Sequence, residues 1–502
     1  MGTLMTLSPE LGYCLLIGLG ACLLAIALVV KKLVHDTGDF IVAGRRVGFG
    51  FGVGSIIAVW TWSMAVMMSS AQAFSFGTSG LLWFVVPNGL AVMLMIPFAV
   101  LLRRRMPEGY TIVEFIRKRF DNPLVASLML VVMIAMIICE ILINLFGIVL
   151  VMDVVFGLPA TAVLVVALIV VTVYSYFGGI WTSAITGALC TLGTTVPAAL
   201  VVLYVLGKAG GAEAVFSKVG DADPQNLEPF APAAAVSFGI TLALGLLAST
   251  MADQTFWQKA WSMKPKTMAR TFLWAGLWFY PIPLTLGLLG LVGISMGVSA
   301  DDLGANGAGA IGPYVVTHMG LPVIIIVLYV MIILQACYST VDGAFSALSS
   351  LVATDIVRRR WPSMSDRNLL KITKASIVAG GIIGGVVVLA SSDYITTVNT
   401  IYFFKASLIV PLGAAIFWRR MNAWAFILGV LVSAAVGFYV RETVNELAGT
   451  ATLIGLSILI VVTVSLMTKT NYDFSRLDKG GDRLAAGESE DLIGSSASEA
   501  QS

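Results

Sequence analysis

Charge is what this chain has least of. Only 12% of its 502 residues are Asp, Glu, Lys or Arg, about half the share of an ordinary soluble domain. The 30 basic and 28 acidic side chains leave a formal net charge of +2, too little field to gather nucleic acid or an acidic partner. His35 and His318 are the only histidines, which leaves no means of building a histidine metal centre. The five cysteines, Cys14, Cys22, Cys139, Cys190 and Cys337, all fall in apolar stretches. None pairs at metal-ligand spacing, so small buried hydrophobes are expected. A Gly-x-x-x-x-Gly-Lys-Ser/Thr loop is missing, which argues against an ATP-driven pump. Haem, flavin or metal ligand sets cannot be assembled either, so the chain does not read as an enzyme.

Hydrophobicity is what remains, at 58% of the residues. About 20 apolar residues are needed for a helix to cross a hydrocarbon core of about 30 Å. Runs of this kind predict thirteen spans, near 9–31, 48–76, 80–102, 122–152, 159–177, 180–207, 232–256, 267–296, 319–357, 368–390, 392–418, 423–441 and 449–468. The first is followed by Lys31 and Lys32 and shows no small-residue cleavage site, so it reads as a retained helix. With the amino terminus outside, 26 of the 30 basic residues fall on the inner side. Only Lys208, Lys218 and Arg441 lie outside, and Lys405 lies within a span. That bias is the one the positive-inside rule demands. The expectation is an all-α polytopic protein of the cell (inner) membrane, with its carboxyl terminus cytoplasmic. The tail, 471–502, is rich in small and acidic residues and is expected to be disordered.

Polar groups inside lipid are costly, so each intramembrane one is a candidate: Glu140, Asn144, Asp253, Gln335, Asp342, Asp355 and Lys405. Asp253 and Asp355 lie near inner span ends, where hydration is the default. Glu140 and Lys405 fall at similar depth by counting, as an ion pair, as a charged clamp around a solute, or as a structural pair remote from it. Asn144, one turn on from Glu140, could add an amide hydrogen bond. The run Gly48-Phe49-Gly50-Phe51-Gly52-Val53-Gly54 leads to Thr61-Trp62-Ser63, consistent with either a tight glycine face or a locally opened backbone. Trp60 and Trp62 flank that point and could wall a pocket or simply pack. Ala336, Ser339 and Thr340 share one helical face. Their hydroxyls could bond back to their own helix or offer neutral oxygens to an alkali cation.

The stretch Ser339-Thr340-Val341-Asp342, with Ser349-Ser350 and Asp355-Ile356 after it, resembles the sodium-site helix of the sodium/solute symporter family. Gly38-Asp39-Phe40-Ile41-Val42-Ala43-Gly44-Arg45 looks like the family's approach to its first core helix, and Tyr176-Phe177-Gly178-Gly179 like the turn before its fifth. The likeness runs from about residue 38 to 420. Trp60-Thr61-Trp62, Ser79-Gly80-Leu81-Leu82-Trp83, Pro107-Glu108-Gly109-Tyr110-Thr111 and Asp253-Gln254-Thr255-Phe256-Trp257-Gln258-Lys259 are most similar to the urea/polyamine-type branch.

The resemblance implies a five-plus-five inverted-repeat core, with one extra helix before it and two after. The corresponding divisions are an extra helix and loop (1–47), first repeat (48–207), extracellular loop (208–231), second repeat (232–418), two further helices (419–470) and the tail. Each repeat's first helix would be broken near the midplane, around Ala58 to Ser63 and around Gly245. One sodium ion would be held by backbone oxygens of Ala58, Thr61 and Ala336 and by the side chains of Ser339 and Thr340. Trp60, Trp62, Glu140, Asn144, Gly245 and Lys405 would face the solute. Gly187 stands where many relatives carry an acid, which puts a second sodium in doubt. The implied function is sodium-coupled uptake of a small polar solute, urea-like, amide or amine, by alternating access. The partners are that solute and membrane lipid, with no nucleic acid and no obligatory protein partner. Alternatives are a proton-coupled or uncoupled carrier for an amino acid or carboxylate and, in another class, an ion channel or membrane sensor.

Overall fold

Lipid offers the backbone no hydrogen bonds, so a spanning chain must satisfy its own, and the helix does this within one segment. The computed structural model describes residues 7–389, 394–468 and 471–477. Among them there is no β-strand, only an isolated bridge between Val47 and Met263. Eleven helices are long and apolar enough to cross a membrane. In chain order the elements used below are α1 (Pro9–Val30), α2 (Phe49–Trp60), α3 (Ser63–Arg105), α4 (Ile112–Phe120), α5 (Pro123–Phe156), α6 (Ala160–Lys208) and α7 (Ala212–Ala222). Then follow α8 (Ile240–Ser249), α9 (Gln254–Ser262), α10 (Pro265–Phe279), α11 (Pro281–Ser295), α12 (Val323–Leu351) and α13 (Asp366–Leu389). The last are α14 (Tyr394–Ala406), α15 (Ile409–Phe417), α16 (Ala423–Thr443) and α17 (Glu446–Met467).

The core is organised around α12, which packs between α5 and α6. From Ala336 to Leu351 every residue of α12 is buried, with Asp342 the one acidic side chain among apolar and neutral ones, and a helix so enclosed belongs at the middle of a bundle. The glycine-rich α2 lies on α6, and α10 and α11 lie along α3. At Gly54 an added Cβ would come within 2.7 Å of Ala188 Cα, so α2 and α6 touch backbone to backbone. α16 and α17 pair with each other.

Two helices exceed the bilayer and fold back through glycine. α3 leaves helical geometry at Phe76 and Gly77, and α6 does so at Gly179, whose φ of 53° is left-handed. A Cβ on Gly179 would sit 2.3 Å from the Phe40 carbonyl oxygen, so steric and backbone strain coincide there. Gly179→Ala is therefore expected to destabilise the protein by about 2 kcal/mol or more. A lowered thermal midpoint of the purified protein in one fixed detergent checks this; an unchanged midpoint refutes it.

Several expectations need correction. Residues 471–477, expected to be disordered, carry a 3-10 turn (Phe474–Leu477) with Phe474 and Leu477 buried. The Arg105 guanidinium lies 3.6 Å from the Phe474 ring centre and that of Arg119 4.3 Å from Tyr472, while the Tyr472 hydroxyl donates to the Lys118 carbonyl at 2.9 Å. Three large side chains and a cationic shelf outweigh the polar composition of the tail as a whole. The tail beyond 477 lies outside the described residues, as do 1–6, 390–393 and 469–470. Cys14 and Cys22 are exposed on α1 rather than buried; only Cys190 and Cys337 are buried. A thiol on a spanning helix can face lipid as well as protein, and hydropathy does not distinguish the two.

Candidate functional site

The chain opens between α2 and α3. Thr61 N–H donates to the Ile57 carbonyl, the last bond of α2, and Trp62 is extended before α3 begins at Ser63. Carbonyls one turn from a helix end have no partner of their own. Here those of Ala58 and Val59 meet α12: Ser339 Oγ donates to Ala58 O at 3.1 Å, and Thr340 Oγ1 lies 3.4 Å from both Ala58 O and Val59 O. The same hydroxyls reach back to Ala336 O at 3.0 and 2.9 Å. Four of the five expected cation residues thus converge, with neutral oxygens only, which suits a hard monovalent ion that must be released again. Thr61 is the partial exception, since its hydroxyl turns back to Ile57 O at 2.7 Å and leaves only its carbonyl.

A second cluster lies on the α5 side of the break. Lys405 Nζ, in the last turn of α14, donates to Glu140 Oε1 at 2.9 Å and to Ser249 Oγ at 3.0 Å. Both charged side chains are within 2% of complete burial. The helix dipole favours a cation at that terminus. The Trp62 ring centre is 4.6 Å from the ammonium and that of Tyr402 5.6 Å, so the cation rests on aromatic faces. Depth counting therefore pairs Glu140 with Lys405 correctly.

Asp253, expected to be hydrated, is instead buried. It caps α9, accepting from Thr255 N at 2.7 Å. Asp355 is also buried, beside Arg117 and accepting from Thr111 Oγ1 at 2.6 Å. Both sit in polar folds between helices that hydropathy reads as water. Lys259, read as a loop charge, is buried as well. It hydrogen-bonds Ser55 Oγ and lies 3.4 Å from Ser183 Oγ, facing Asp342. Indeed the whole of α9 is buried; the absence of Gly and Pro from 250 to 264 was the sequence signal for a plug rather than a loop.

The other expected solute residues divide. Trp62 is buried with its indole N–H unpartnered. Trp60 instead donates to Asn88 O at 3.0 Å and packs edge-on against Phe256. Asn144 is already engaged at both ends of its amide: Oδ1 accepts from Ser63 N at 3.0 Å and Nδ2 donates to Glu140 O at 2.8 Å. It therefore caps the first turn of α3. The break expected around Gly245 is displaced. α8 runs through Gly245 to Ser249, and the backbone opens at Thr250 to Asp253. Gly245 serves close packing, since a Cβ there would meet Tyr402 Cβ and O at 3.0 Å; the opening falls where Asp253 can cap the next helix. Gln335 donates to Gly193 O and Met331 O.

An interrupted helix whose freed carbonyls face hydroxyls of a buried partner, within a multi-span helical bundle, is the arrangement in which secondary transporters build their ion sites. The sequence pattern of the Sodium:solute symporter family matches residues 40–433, and the chain belongs to that family. It is 24% identical over 489 residues to the urea-proton symporter DUR3 of Oryza sativa subsp. japonica, covering 88% of this chain and 66% of the rice protein. It thus spans slightly under two thirds of that relative's length. To the probable urea active transporter 1 of Schizosaccharomyces pombe it is 23% identical, over 94% of this chain and 78% of the yeast protein. Its fold is that of a Na+-coupled sialic acid symporter solved in a substrate-bound outward-open state, with a TM-score of 0.77 at 19% identity, covering 92% of this chain and 98% of the other.

Proposed function

We propose that this symporter couples inward movement of one sodium ion to uptake of a small polar solute of the urea, amide or amine type. The observation that carries the reading is the convergence of Ala58 O, Ala336 O, Ser339 Oγ and Thr340 Oγ1 across the α2–α3 break. A sodium ion there would replace the hydroxyl protons that bridge these oxygens and would join α12 to the broken helix. An ion that binds one state better shifts the equilibrium toward it. Trp62, with a free indole donor beside the Lys405–Glu140 pair, is the solute contact we favour; a carbonyl acceptor suits that N–H. The printed names of the rice and fission-yeast relatives support urea as the first solute to try.

Thirteen crossings are consistent with the helices. α2 with the part of α3 before Gly77 makes one, and cutting α6 at Gly179 separates two more. The domain divisions and the inverted five-plus-five repeat rest on the family resemblance, and the outside amino terminus on the basic-residue bias. A second reading, proton coupling, is favoured by the name of the rice relative. Uptake of labelled urea into proteoliposomes, under a sodium gradient alone and a proton gradient alone, tests the first reading. Accumulation is expected under the sodium gradient; accumulation under the proton gradient only would overturn it.

A further inference from the structure

Two buried charges lie beside the oxygen cradle, and among the described residues neither is bonded to a group of opposite sign. Lys259 is 1% exposed; its ammonium donates to Ser55 Oγ and, at 3.4 Å, to Ser183 Oγ. Asp342 is also 1% exposed, and neither of its carboxyl oxygens accepts a hydrogen bond. Packing sets the two on one flank of the cradle. Asp342 follows Ser339 by three residues on α12, and Ser55 precedes Ala58 by three on α2. Each is thus a same-face neighbour of a cradle residue, about 5–6 Å away between Cβ atoms. Both steps lead toward α9. A Cβ on Gly343 would meet Thr255 Cγ2 at 3.3 Å, and Gln258 Nε2 donates to Ser346 O and Oγ at 3.1 Å. Lys259 comes one turn after Thr255, so α9 runs along the turn of α12 that begins at Asp342. A carboxylate and an ammonium held at one level offset each other's field without touching.

We propose that Lys259 is a tethered cation: its ammonium holds, one turn from the cradle, the place that a second alkali ion would take on Ser55, Ser183 and Asp342. Two hydroxyls and a carboxylate are hard oxygen donors that serve an ammonium and an alkali ion alike. The ammonium differs in being carried by the chain, so it is present whatever the salt outside. Its helix is fixed, since Asp253 caps the first turn of α9 and Gln258 Nε2 donates to Ile41 O at 2.8 Å. The lysine stem is long enough to reach from there into the seam between α2 and α6. The consequence is stoichiometric: one sodium ion binds per chain because the protein supplies the other positive charge itself. This deepens the sodium reading and rests on it for the ion in the cradle.

Equilibrium binding of radiolabelled sodium to the full-length protein in lipid nanodiscs tests it. Wild type is expected to bind one ion per chain and Lys259→Ala two, the second being lost again in Lys259→Ala/Asp342→Asn. Lys259→Arg keeps a tethered cation and should keep the wild-type count. Sodium should also raise the thermal midpoint of Lys259→Ala more than that of wild type, and Lys259→Ala/Asp342→Asn should lose the excess. If Lys259→Ala does not fold, Asp342→Asn decides. It leaves the ammonium uncompensated beside the cradle, so sodium affinity there should fall about tenfold or more, and the double variant should restore it. An unchanged count in folded Lys259→Ala, a second ion that survives Asp342→Asn, or unaltered cradle affinity in Asp342→Asn would overturn the proposal. A wild type that binds no sodium would remove the cradle reading alone; the tethered cation then stands or falls on whether Lys259→Ala gains one ion that Asp342→Asn removes.

Discussion

Replacing Ser339 and Thr340 together by alanine is expected to raise the sodium concentration for half-maximal urea uptake by roughly a hundredfold or more. Hydrogen-bond-like contacts to a charged partner contribute about 1.5–3 kcal/mol each, and about 1.4 kcal/mol is a factor of ten in affinity. Among the described residues, these two hydroxyls are the side-chain oxygens that meet the Ala58 and Ala336 carbonyls. With both gone, Ala58 O and Ala336 O are left facing methyl groups. Thr340→Ser keeps its oxygen and should stay close to wild type, which separates ligation from packing. The measurement is initial uptake rate in proteoliposomes across a sodium titration. An unchanged sodium requirement in the double alanine variant would remove the cradle from the mechanism.

The second large effect concerns stability, and its asymmetry is the informative part. Lys405→Met leaves the buried Glu140 without its cation and is expected to cost about 3–5 kcal/mol. Glu140→Gln leaves Lys405 its bond to Ser249, the Trp62 and Tyr402 rings and a neutral amide in place of the carboxyl, so about 1–3 kcal/mol is expected. Combining them should give a protein more stable than Lys405→Met alone, because the isolated charge is removed along with its partner. Thermal unfolding of the four proteins in one detergent closes the double-mutant cycle. Strict additivity of the two losses would mean that the residues do not act as a pair.

Much of this was legible in the sequence for physical reasons that differ from site to site. The helical class follows from composition, since hydrocarbon leaves few alternatives. The first break was placed by the family resemblance, since Gly52, Gly54 and the hydroxyls of Thr61 and Ser63 fit either close packing or an opened backbone. Glu140 and Lys405 could be paired because only depth had to be counted. Asp253 and Lys259 could not be read in this way. A one-dimensional scan treats a polar stretch between spans as water-exposed, and α9 folds back into the bundle only through tertiary contacts such as Gln258 Nε2 to Ile41 O and Ser346 O. The displaced second opening has the same origin: a glycine in a helix marks either a break or a close neighbour, and Tyr402 made it the latter at Gly245. The tail turn at 474–477 was hidden by averaging three anchoring side chains with many small ones.

The Asn144 amide has a consequence for how cargo is counted. With one end on the first N–H of α3 and the other on the Glu140 carbonyl, it ties the start of α3 to the turn of α5 that carries the Glu140–Lys405 pair. Thermodynamic reciprocity then applies: whatever factor a hydrogen ion imposes on alkali affinity, the alkali ion must impose on acidity. Driving forces that look like rivals when each is supplied alone would act, in a cell that supplies both, as one combined currency.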